Sequence, residues 1–279
     1  MMNKIGLSFD IEDWFHVKNM SSVIKMRDWQ YCNHRVKIGT DYILTALDKK
    51  NTKATFFILG WVAQRYPDLV RKIASYGHEI ASHGYNHQPL YTMSPDEFKE
   101  DLLRSIDILS AITKREIKGY RAPSFSITKR TLWAFPILKG AGITYDSSIF
   151  PIKHPDYGID DFDQTIQEID GIIEIPLNFL KLGPLRIPAP GGGYFRLYPF
   201  SFSRALLKRL QEDKYSLMYF HPWEFDEIQP RVRIPFLNSF RHYVGLSHCR
   251  QKFHQLLREF QFTTLESLAE SSIYHKLAS

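Results

Sequence analysis

Two histidines separated by three residues are the first candidates for chemistry in this chain. His83 and His87 lie within residues 77–87, a short stretch that also contains Gly84 and Asn86. Two neutral imidazoles at this spacing can bind one divalent cation if the backbone between them makes a single turn. The alternative for each is a surface or hydrogen-bonded core histidine, because eleven histidines in 279 residues produce such spacings by chance.

A group of carboxylates follows the first predicted strand. Residues 5–9 form a short apolar run that is typical of a buried strand, and Asp10, Glu12 and Asp13 come directly after it. Three carboxylates in such a position repel one another unless a cation or an arginine lies nearby. They could supply an acidic metal ligand and a separate base. The alternative is a solvated loop that caps a helix.

Arg121, Asp146 and His221 also come directly after predicted strands, which are residues 117–120, 143–145 and 216–220. In a parallel α/β barrel, active sites are built at the carboxyl ends of the strands. The common placement of all these residues therefore predicts one site. For His221 alone, a structural histidine with satisfied hydrogen bonds is the alternative.

The elements that must position these residues alternate along the first half of the chain. Strands alternate with helical periodicity up to about residue 145, which predicts βαβ units and a parallel sheet. A Ser-Pro-Asp-Glu sequence at Ser94 marks the start of one helix. Residues 128–139 are predicted to be helical, although Pro136 should kink or shorten that helix. The other predicted strands are residues 55–59 and 78–81, and the other helices are residues 38–51 and 61–75.

The rest of the chain is more irregular, but nothing in it divides the chain into domains. We expect a single domain over residues 1–279, with a loop-rich insertion at about 151–195 and a C-terminal helical extension at about 236–279. The three glycines at 191–193 do not form a phosphate loop, because the Gly-Lys-Ser/Thr ending is missing. A tight turn or a close approach to a ligand is the expected role of these glycines.

Composition excludes some classes of protein. The chain is 44% apolar and 24% charged, which is ordinary for a globular protein. The net charge is +6 but the basic residues are scattered, so we expect no nucleic acid partner, whereas an anionic membrane face or an acidic glycan suits this charge. Cys32 and Cys249 form no metal-type pair. No apolar segment precedes the first strand, which predicts a cytoplasmic protein, with peripheral attachment at the inner face of the membrane left open.

These residue types together can hydrolyse an amide or an ester. A metal with three protein ligands leaves room for water and for a carbonyl oxygen. A carboxylate can take a proton from the attacking water, and a second acid can protonate the leaving nitrogen. The sequence therefore predicts a hydrolase whose metal activates water.

Five motifs in order resemble the polysaccharide deacetylase family, which includes chitin, peptidoglycan and chitooligosaccharide deacetylases. The matching motifs are residues 8–13, 82–87, 121–123, 145–148 and 219–222. The resemblance covers residue 5 to about residue 226. Residues 191–196 and 221–226 also look like a subgroup that is found with bacterial exopolysaccharide biosynthesis.

The resemblance implies an α/β fold, a distorted (β/α)7 barrel, with a bound divalent metal. It implies Zn²⁺ as the ion, with Co²⁺, Ni²⁺ or Mn²⁺ as alternatives, and it gives His83 and His87 as ligands. Many relatives have adjacent aspartates in the first motif, whereas this chain has Asp10-Ile-Glu12-Asp13. We favour Glu12 as the acidic ligand because alternate residues of a strand share a face, and Asp13 is the alternative.

The resemblance also implies the catalytic roles. Asp10 is the expected base, oriented by Arg121, and His221 is the expected acid, with Asp146 as its charge partner. The backbone N–H of Ser124 is the expected donor to the oxyanion. In this chain Ser124 and the following Phe stand where the family usually has Pro-Tyr.

The expected reaction is removal of the acetyl group from an N-acetylhexosamine residue of a bacterial polysaccharide or its lipid-linked precursor. Tyr194 and Trp223 are candidates for stacking on sugar rings, although core packing is the alternative for each. One alternative function is hydrolysis of a small cyclic amide, as in allantoinase-like relatives. Another is glycan binding without catalysis.

Overall fold

The computed structural model describes residues 5–154, 157–183, 185–189, 191–213 and 215–277. Eleven strands lie in this part of the chain: β1 Ile5–Ile11, β2 Thr55–Ile58, β3 Glu79–Ser82, β4 Gly119–Tyr120, β5 Tyr145–Asp146, β6 Gln167–Ile169, β7 Ile172–Glu174, β8 Phe179–Leu182, β9 Leu185–Pro188, β10 Ser216–Phe220 and β11 Phe262–Thr263.

The main sheet has the strand order β10-β1-β2-β3-β4-β5-β7-β6, and β11 pairs with the start of β1. The seven strands from β10 to β7 are parallel to their neighbours, and only β6 is antiparallel. No pairing joins β7 to β10 in the described ranges, but the Tyr215 hydroxyl donates to the Pro176 carbonyl across this gap (2.5 Å). The sheet is thus a curled half-barrel, which confirms the expected α/β fold.

Ten α-helices surround the sheet in the described ranges: α1 Val36–Asp48, α2 Gly60–Arg65, α3 Pro67–Ser75, α4 Pro95–Thr113, α5 Ala134–Gly140, α6 Gly192–Leu197, α7 Phe200–Asp213, α8 Phe236–Tyr243, α9 Leu246–Glu259 and α10 Leu265–Leu277. None of the helices in this part of the chain is both long enough and apolar enough to cross a bilayer. The predicted start of α4 is confirmed, since Ser94 Oγ accepts from the Glu97 N–H and Glu97 Oε2 accepts from the Ser94 N–H.

Strand β1 lies at the centre of the core. All seven of its residues are buried, as expected for a parallel strand that is covered on both faces. The ring of Phe9 packs against Phe56 of β2, Phe220 of β10 and Phe253 of α9, with centroids 5.0–6.1 Å apart. Helix α9, from the last part of the chain, therefore belongs to the same core as the first strand.

Two predicted helices differ from the observed ones, and proline explains both differences. The predicted helix 61–75 is two helices separated at Tyr66 (φ −128°, ψ 58°), because the residue before a proline, here Pro67, avoids helical geometry. The predicted helix 128–139 begins only two residues before Pro136. In the first turn of a helix, the N–H that proline lacks has no partner within the helix in any case.

The predicted insertion at 151–195 contains four strands among its described residues. The sequence indicated only one of them, near residues 172–175. Strands β6 and β7 form an antiparallel pair at the end of the main sheet, and β8 and β9 form a separate two-stranded hairpin. The assignment of residues 1–279 to one domain stays a prediction.

Helix α1 packs closely against the loop after β10. A Cβ atom at Gly39 would lie 1.8 Å from the Pro222 carbonyl oxygen, so only glycine allows this approach. Because Pro222 directly follows His221, the contact fixes the loop that carries one of the candidate catalytic residues.

Candidate metal centre and active site

Glu12, His83 and His87 form a cluster of donor atoms at the carboxyl ends of β1 and β3. One ligand atom from each residue lies within 4.8 Å of those of the other two. Glu12 Oε2 is 2.5 Å from His87 Nε2, and both side chains are almost fully buried. The two imidazoles and the favoured carboxylate predicted from the sequence therefore lie together.

The backbone carbonyl group of Arg121 sets the orientation of the His83 ring. His83 Nδ1 lies 2.8 Å from the carbonyl oxygen of Arg121. A carbonyl can only accept, so Nδ1 carries the proton and Nε2 has its lone pair available. Burial lowers the pKa of His83 to about 4. His83 is thus neutral near pH 7, as a metal ligand must be.

A buried carboxylate that sequence analysis missed holds the loop between the two histidines. Asp101 Oδ2 accepts from the Tyr85 N–H (2.6 Å), and Oδ1 accepts from the Asn86 N–H (3.0 Å). A Cβ atom at Gly84 (φ +71°) would lie 2.9 Å from Asp101 Oδ2, so the loop needs glycine there. The available signal was an acidic residue beside Leu102, on the apolar face of a predicted amphipathic helix.

The cluster fits a bound divalent cation. Glu12 Oε2 is buried, and although it lies 2.5 Å from His87 Nε2, no group among the described residues donates to it in hydrogen-bonding geometry. A buried carboxylate oxygen in this state is costly without a cation. Burial raises the pKa of Glu12, but nearby His87, His221 and His83 outweigh burial and lower it below its ordinary value. Two neutral imidazoles and one carboxylate are a donor set that suits zinc.

Asp13, the alternative acidic ligand, does not join this cluster. Its Oδ2 accepts from the backbone N–H groups of Arg35 (2.6 Å) and Val36 (2.9 Å), and its Oδ1 accepts from the Trp14 N–H (2.9 Å). Burial raises the pKa of Asp13 to about 6. Instead of facing the imidazoles, Asp13 therefore caps the start of α1, the helix-capping role left open for this acidic stretch.

Asp10 lies beside the cluster and is paired with a buried arginine. Asp10 Oδ1 accepts from Arg121 Nη1 (2.8 Å), while Oδ2 lies 3.9 Å from His221 Nε2. The guanidinium of Arg121 also donates to Ser8 Oγ (2.8 Å) and to the Ser147 carbonyl (3.0 Å). These bonds fix one carboxylate oxygen of Asp10 and leave the other facing His221.

His221 is the most open member of the site, with 17% of its side chain exposed. Its Nδ1 lies 2.8 Å from Glu224 Oε1, and Glu224 Oε2 accepts from Arg196 Nε (2.7 Å). Burial lowers the pKa of His221, but the bond to Glu224 and the charges of Glu12 and Asp10 outweigh burial and raise it to about 9. A histidine with this pKa is protonated near pH 7, so His221 can act as an acid.

Asp146 is not the partner of His221 in this structure, contrary to what the resemblance implied. Its carboxylate accepts from Ser148 Oγ (2.7 Å) and from the Ser148 N–H (3.0 Å), and it is hydrogen-bonded to Glu174. Burial raises the pKa values of both Asp146 and Glu174, so this pair favours sharing a proton. The structure gives the place beside His221 to Glu224, three residues along the chain.

The three predicted substrate-binding residues differ in position. Trp223 is buried, stacks on His221 with centroids 5.1 Å apart, and directs its Nε1 at Glu12 Oε1 (3.4 Å). Ser124 has a left-handed backbone (φ 56°) just beyond β4. Tyr194 lies in α6 and packs on Tyr198, which directly follows that helix. Trp223 thus contacts both the candidate acid, His221, and the candidate metal ligand, Glu12.

The fold and the site define a class: parallel α/β proteins with a candidate metal centre at the carboxyl ends of the strands. Residues 28–145 match the family model described as polysaccharide deacetylase, and residues 147–270 match a domain of unknown function (DUF3473). Residues 28–145 of the chain are therefore similar to the polysaccharide deacetylase family. The residues that match the polysaccharide deacetylase model include His83, His87 and Arg121. His221 lies in the part that matches the domain of unknown function.

Individual relatives match shorter stretches of the chain. A peptidoglycan-N-acetylglucosamine deacetylase from Bacillus cereus is 36% identical over 96 residues, which are 34% of this chain and 35% of that protein. The chain spans about a third of the length of the curated relatives it matches.

Solved structures show the fold over the whole chain. A Mycobacterium smegmatis structure described as a polysaccharide deacetylase has a TM-score of 0.64 at 20% identity, and the match covers 99% of this chain and 92% of that one. A CE4 family pseudoenzyme from Bacillus anthracis has a TM-score of 0.50 at 14% identity, covering 96% of this chain and 66% of that one.

Proposed function

We propose that the protein is a metal-dependent N-deacetylase that removes the acetyl group from an N-acetylhexosamine residue of a bacterial polysaccharide or its lipid-linked precursor. The observation that carries the proposal is that Asp10 and His221 meet beside the three candidate metal ligands, with Asp10 Oδ2 and His221 Nε2 3.9 Å apart. A base and an acid on either side of one substrate bond are what amide hydrolysis needs. We place the reaction in the cytoplasm.

Glu12, His83 and His87 would hold the ion, for which zinc is our proposal. When bound, such an ion polarises a carbonyl oxygen and activates water for attack. The remaining steps belong to side chains and backbone groups of this chain.

In the proposed reaction, Asp10 Oδ2 takes a proton from the attacking water, because Arg121 holds Oδ1. The water oxygen bonds to the acetyl carbon, and the Ser124 N–H donates to the oxygen that becomes negative. His221 Nε2 then gives its proton to the sugar nitrogen as the C–N bond breaks. Acetate and a free amine are the products, and Glu224 keeps the His221 ring oriented throughout.

The test combines acetate release with metal content. The wild-type chain should bind one zinc ion and release acetate from N-acetylglucosamine oligomers or from lipid-linked amino sugars. His221→Ala and Asp10→Asn should keep the metal and lose about 10²–10⁴-fold in turnover. His83→Ala should lose both the metal and the turnover. The exposed His248 offers a matched control, since His248→Ala should change neither quantity.

Two results would contradict the proposal. Equal metal loss in His221→Ala and His83→Ala would mean that the roles are misassigned. Ring opening of a cyclic amide without acetate release from any amino sugar would favour the allantoinase-like reaction.

Glycan binding without catalysis is a second candidate, because this fold also occurs in the Bacillus anthracis pseudoenzyme. If it is correct, the wild-type and Asp10→Asn chains would be equally inactive while both still bind the oligosaccharide. Against this candidate stands the presence of the base, the acid and all three metal donors in one chain.

A further inference from the structure

Helix α8 exposes a face of large apolar side chains. Phe236, Leu237 and Phe240 are 80%, 65% and 47% exposed, respectively. Their spacing of one and four residues places them on one side of the helix, and we call this set the apolar helix face. Single exposed apolar residues are common, but three on one short helix mark an interaction surface.

Two other exposed apolar residues lie on segments close to α8. The helix lies against the 3-10 turn Lys18–Met20, and the Val23 N–H that follows this turn donates to the Met20 carbonyl (3.0 Å). Val23 and Ile228 are themselves largely exposed. Val23 thus comes just after the turn that α8 contacts, and Ile228 lies on the chain that leads into the helix.

The charged residues of α8 and of residues 228–235, which lead into it, are all arginines, whereas the exposed Glu227 comes just before this segment. Arg231, Arg233 and Arg241 are exposed, and we call them the arginine rim. Residues 228–248 contain no aspartate or glutamate. An apolar face flanked by three exposed arginines complements a partner that is both apolar and anionic, and the surface of a bilayer with acidic phospholipids has both properties.

Helix α8 also packs behind the candidate active site. Its buried His242 stacks on Trp223 with centroids 4.4 Å apart, and Trp223 stacks in turn on His221. The guanidinium of Arg196 donates to the His242 carbonyl (2.8 Å) and also binds Glu224. The helix is thus firmly attached to the site.

We propose that the apolar helix face docks on an anionic phospholipid surface, with the arginine rim contacting the headgroup phosphates. Aromatic and aliphatic side chains of this kind enter the boundary between headgroups and acyl chains, and each nearby arginine adds electrostatic attraction. This inference goes beyond the proposed reaction and does not depend on it. If the membrane docking and the proposed deacetylation are both correct, the substrate would be an amino sugar carried on a membrane lipid.

Vesicle sedimentation of the full chain tests the proposal. The probe is phosphatidylcholine vesicles with and without about a third phosphatidylglycerol, at low and moderate salt. The wild-type chain should sediment with the anionic vesicles and much less with neutral ones. Phe236→Ser combined with Leu237→Ser should lower the partition coefficient by about tenfold or more, and Arg231→Gln combined with Arg233→Gln should lower it only for anionic vesicles.

The β8–β9 hairpin supplies a matched control, because Leu182 and Leu185 are 53% and 65% exposed. Leu182→Ser combined with Leu185→Ser should leave vesicle binding unchanged. Loss of binding in this control but not in the α8 variant would overturn the proposal, as would equal binding of all chains to neutral vesicles. Failure of the wild type to bind, together with a dimer that the α8 variant abolishes, would instead assign the face to a second copy of the chain.

Vesicle binding requires no turnover, so it separates this proposal from the proposed deacetylation. A chain that binds vesicles but releases no acetate would refute only the proposed reaction. A chain that releases acetate but binds no vesicles would refute only the docking surface.

Discussion

Asp101 gives the sharpest test of how the metal site is held. Asp101 is not one of the clustered donor residues, but its two oxygens accept from the backbone N–H groups of Tyr85 and Asn86 at 2.6 and 3.0 Å. These two residues lie between His83 and His87. We expect Asp101→Asn to weaken metal binding without removing a ligand.

The magnitude follows from the hydrogen bonds. Asparagine has one carbonyl oxygen and one NH₂ group, so in either orientation one backbone N–H of the loop faces another donor. Leaving a buried donor unsatisfied costs about 1–3 kcal/mol. A cost of about 2 kcal/mol corresponds to about a 30-fold change in an equilibrium constant. This value lies within the 10–100-fold losses that are typical when a residue supporting a metal ligand is changed.

The assay is competition for zinc between the apo chain and a fluorescent chelator. Asp101→Asn should have about 30-fold weaker zinc affinity than wild type. Asp107 lies exposed on the same helix, and Asp107→Asn should bind zinc within about twofold of wild type. Urea melts of the metal-free chains should show that both variants are folded. A folded Asp101→Asn chain with wild-type zinc affinity would refute the reasoning.

Three other outcomes are expected. Burial raises the pKa of Glu79 from 4.5 to about 7, so between these pH values the folded chain holds a proton that the unfolded chain releases. As pH rises from 4.5 to 7, wild type should therefore lose about 2.5 kcal/mol of unfolding free energy relative to Glu79→Gln in urea melts. Phe9→Ala should cost about 3–5 kcal/mol in the same melts, and a loss below 1 kcal/mol would contradict the central position of Phe9. Glu224→Gln should lower the kcat of acetate release about 10²-fold, and Asp146→Asn less than tenfold; the opposite order would restore Asp146 as the partner of His221.

The main architecture could be predicted from the sequence because it depends on repeated, local patterns. Apolar runs that alternate with helical periodicity indicate a parallel sheet, and the carboxyl ends of its strands share one edge. Asp10, His83, Arg121 and His221 all follow such runs, and the structure brings them together. The prediction needed only the ends of strands, which short apolar runs mark well.

The partners of these residues could not be predicted in the same way. Asp101 reaches the histidine loop from a helix that follows that loop in the chain, and strand periodicity says nothing about such a contact. Glu224 did carry a local signal, since His221 caps a 3-10 turn that has proline next and glutamate three residues on. The resemblance pointed to Asp146 instead, although in this structure Asp146 bonds to Ser148 and Glu174.

Strand register explains why groups more than two hundred residues apart meet. Strand β1 pairs in parallel with β10, and Phe9 is in register with Phe220. The next residue on each strand is then Asp10 and His221, so the candidate base and acid follow directly from this pairing. A slip of one residue would turn the side chains of β1 to the opposite face and bury Asp10 among the phenylalanines. The apolar contacts of Phe9 therefore fix the register, and the register in turn places the candidate base beside the candidate acid.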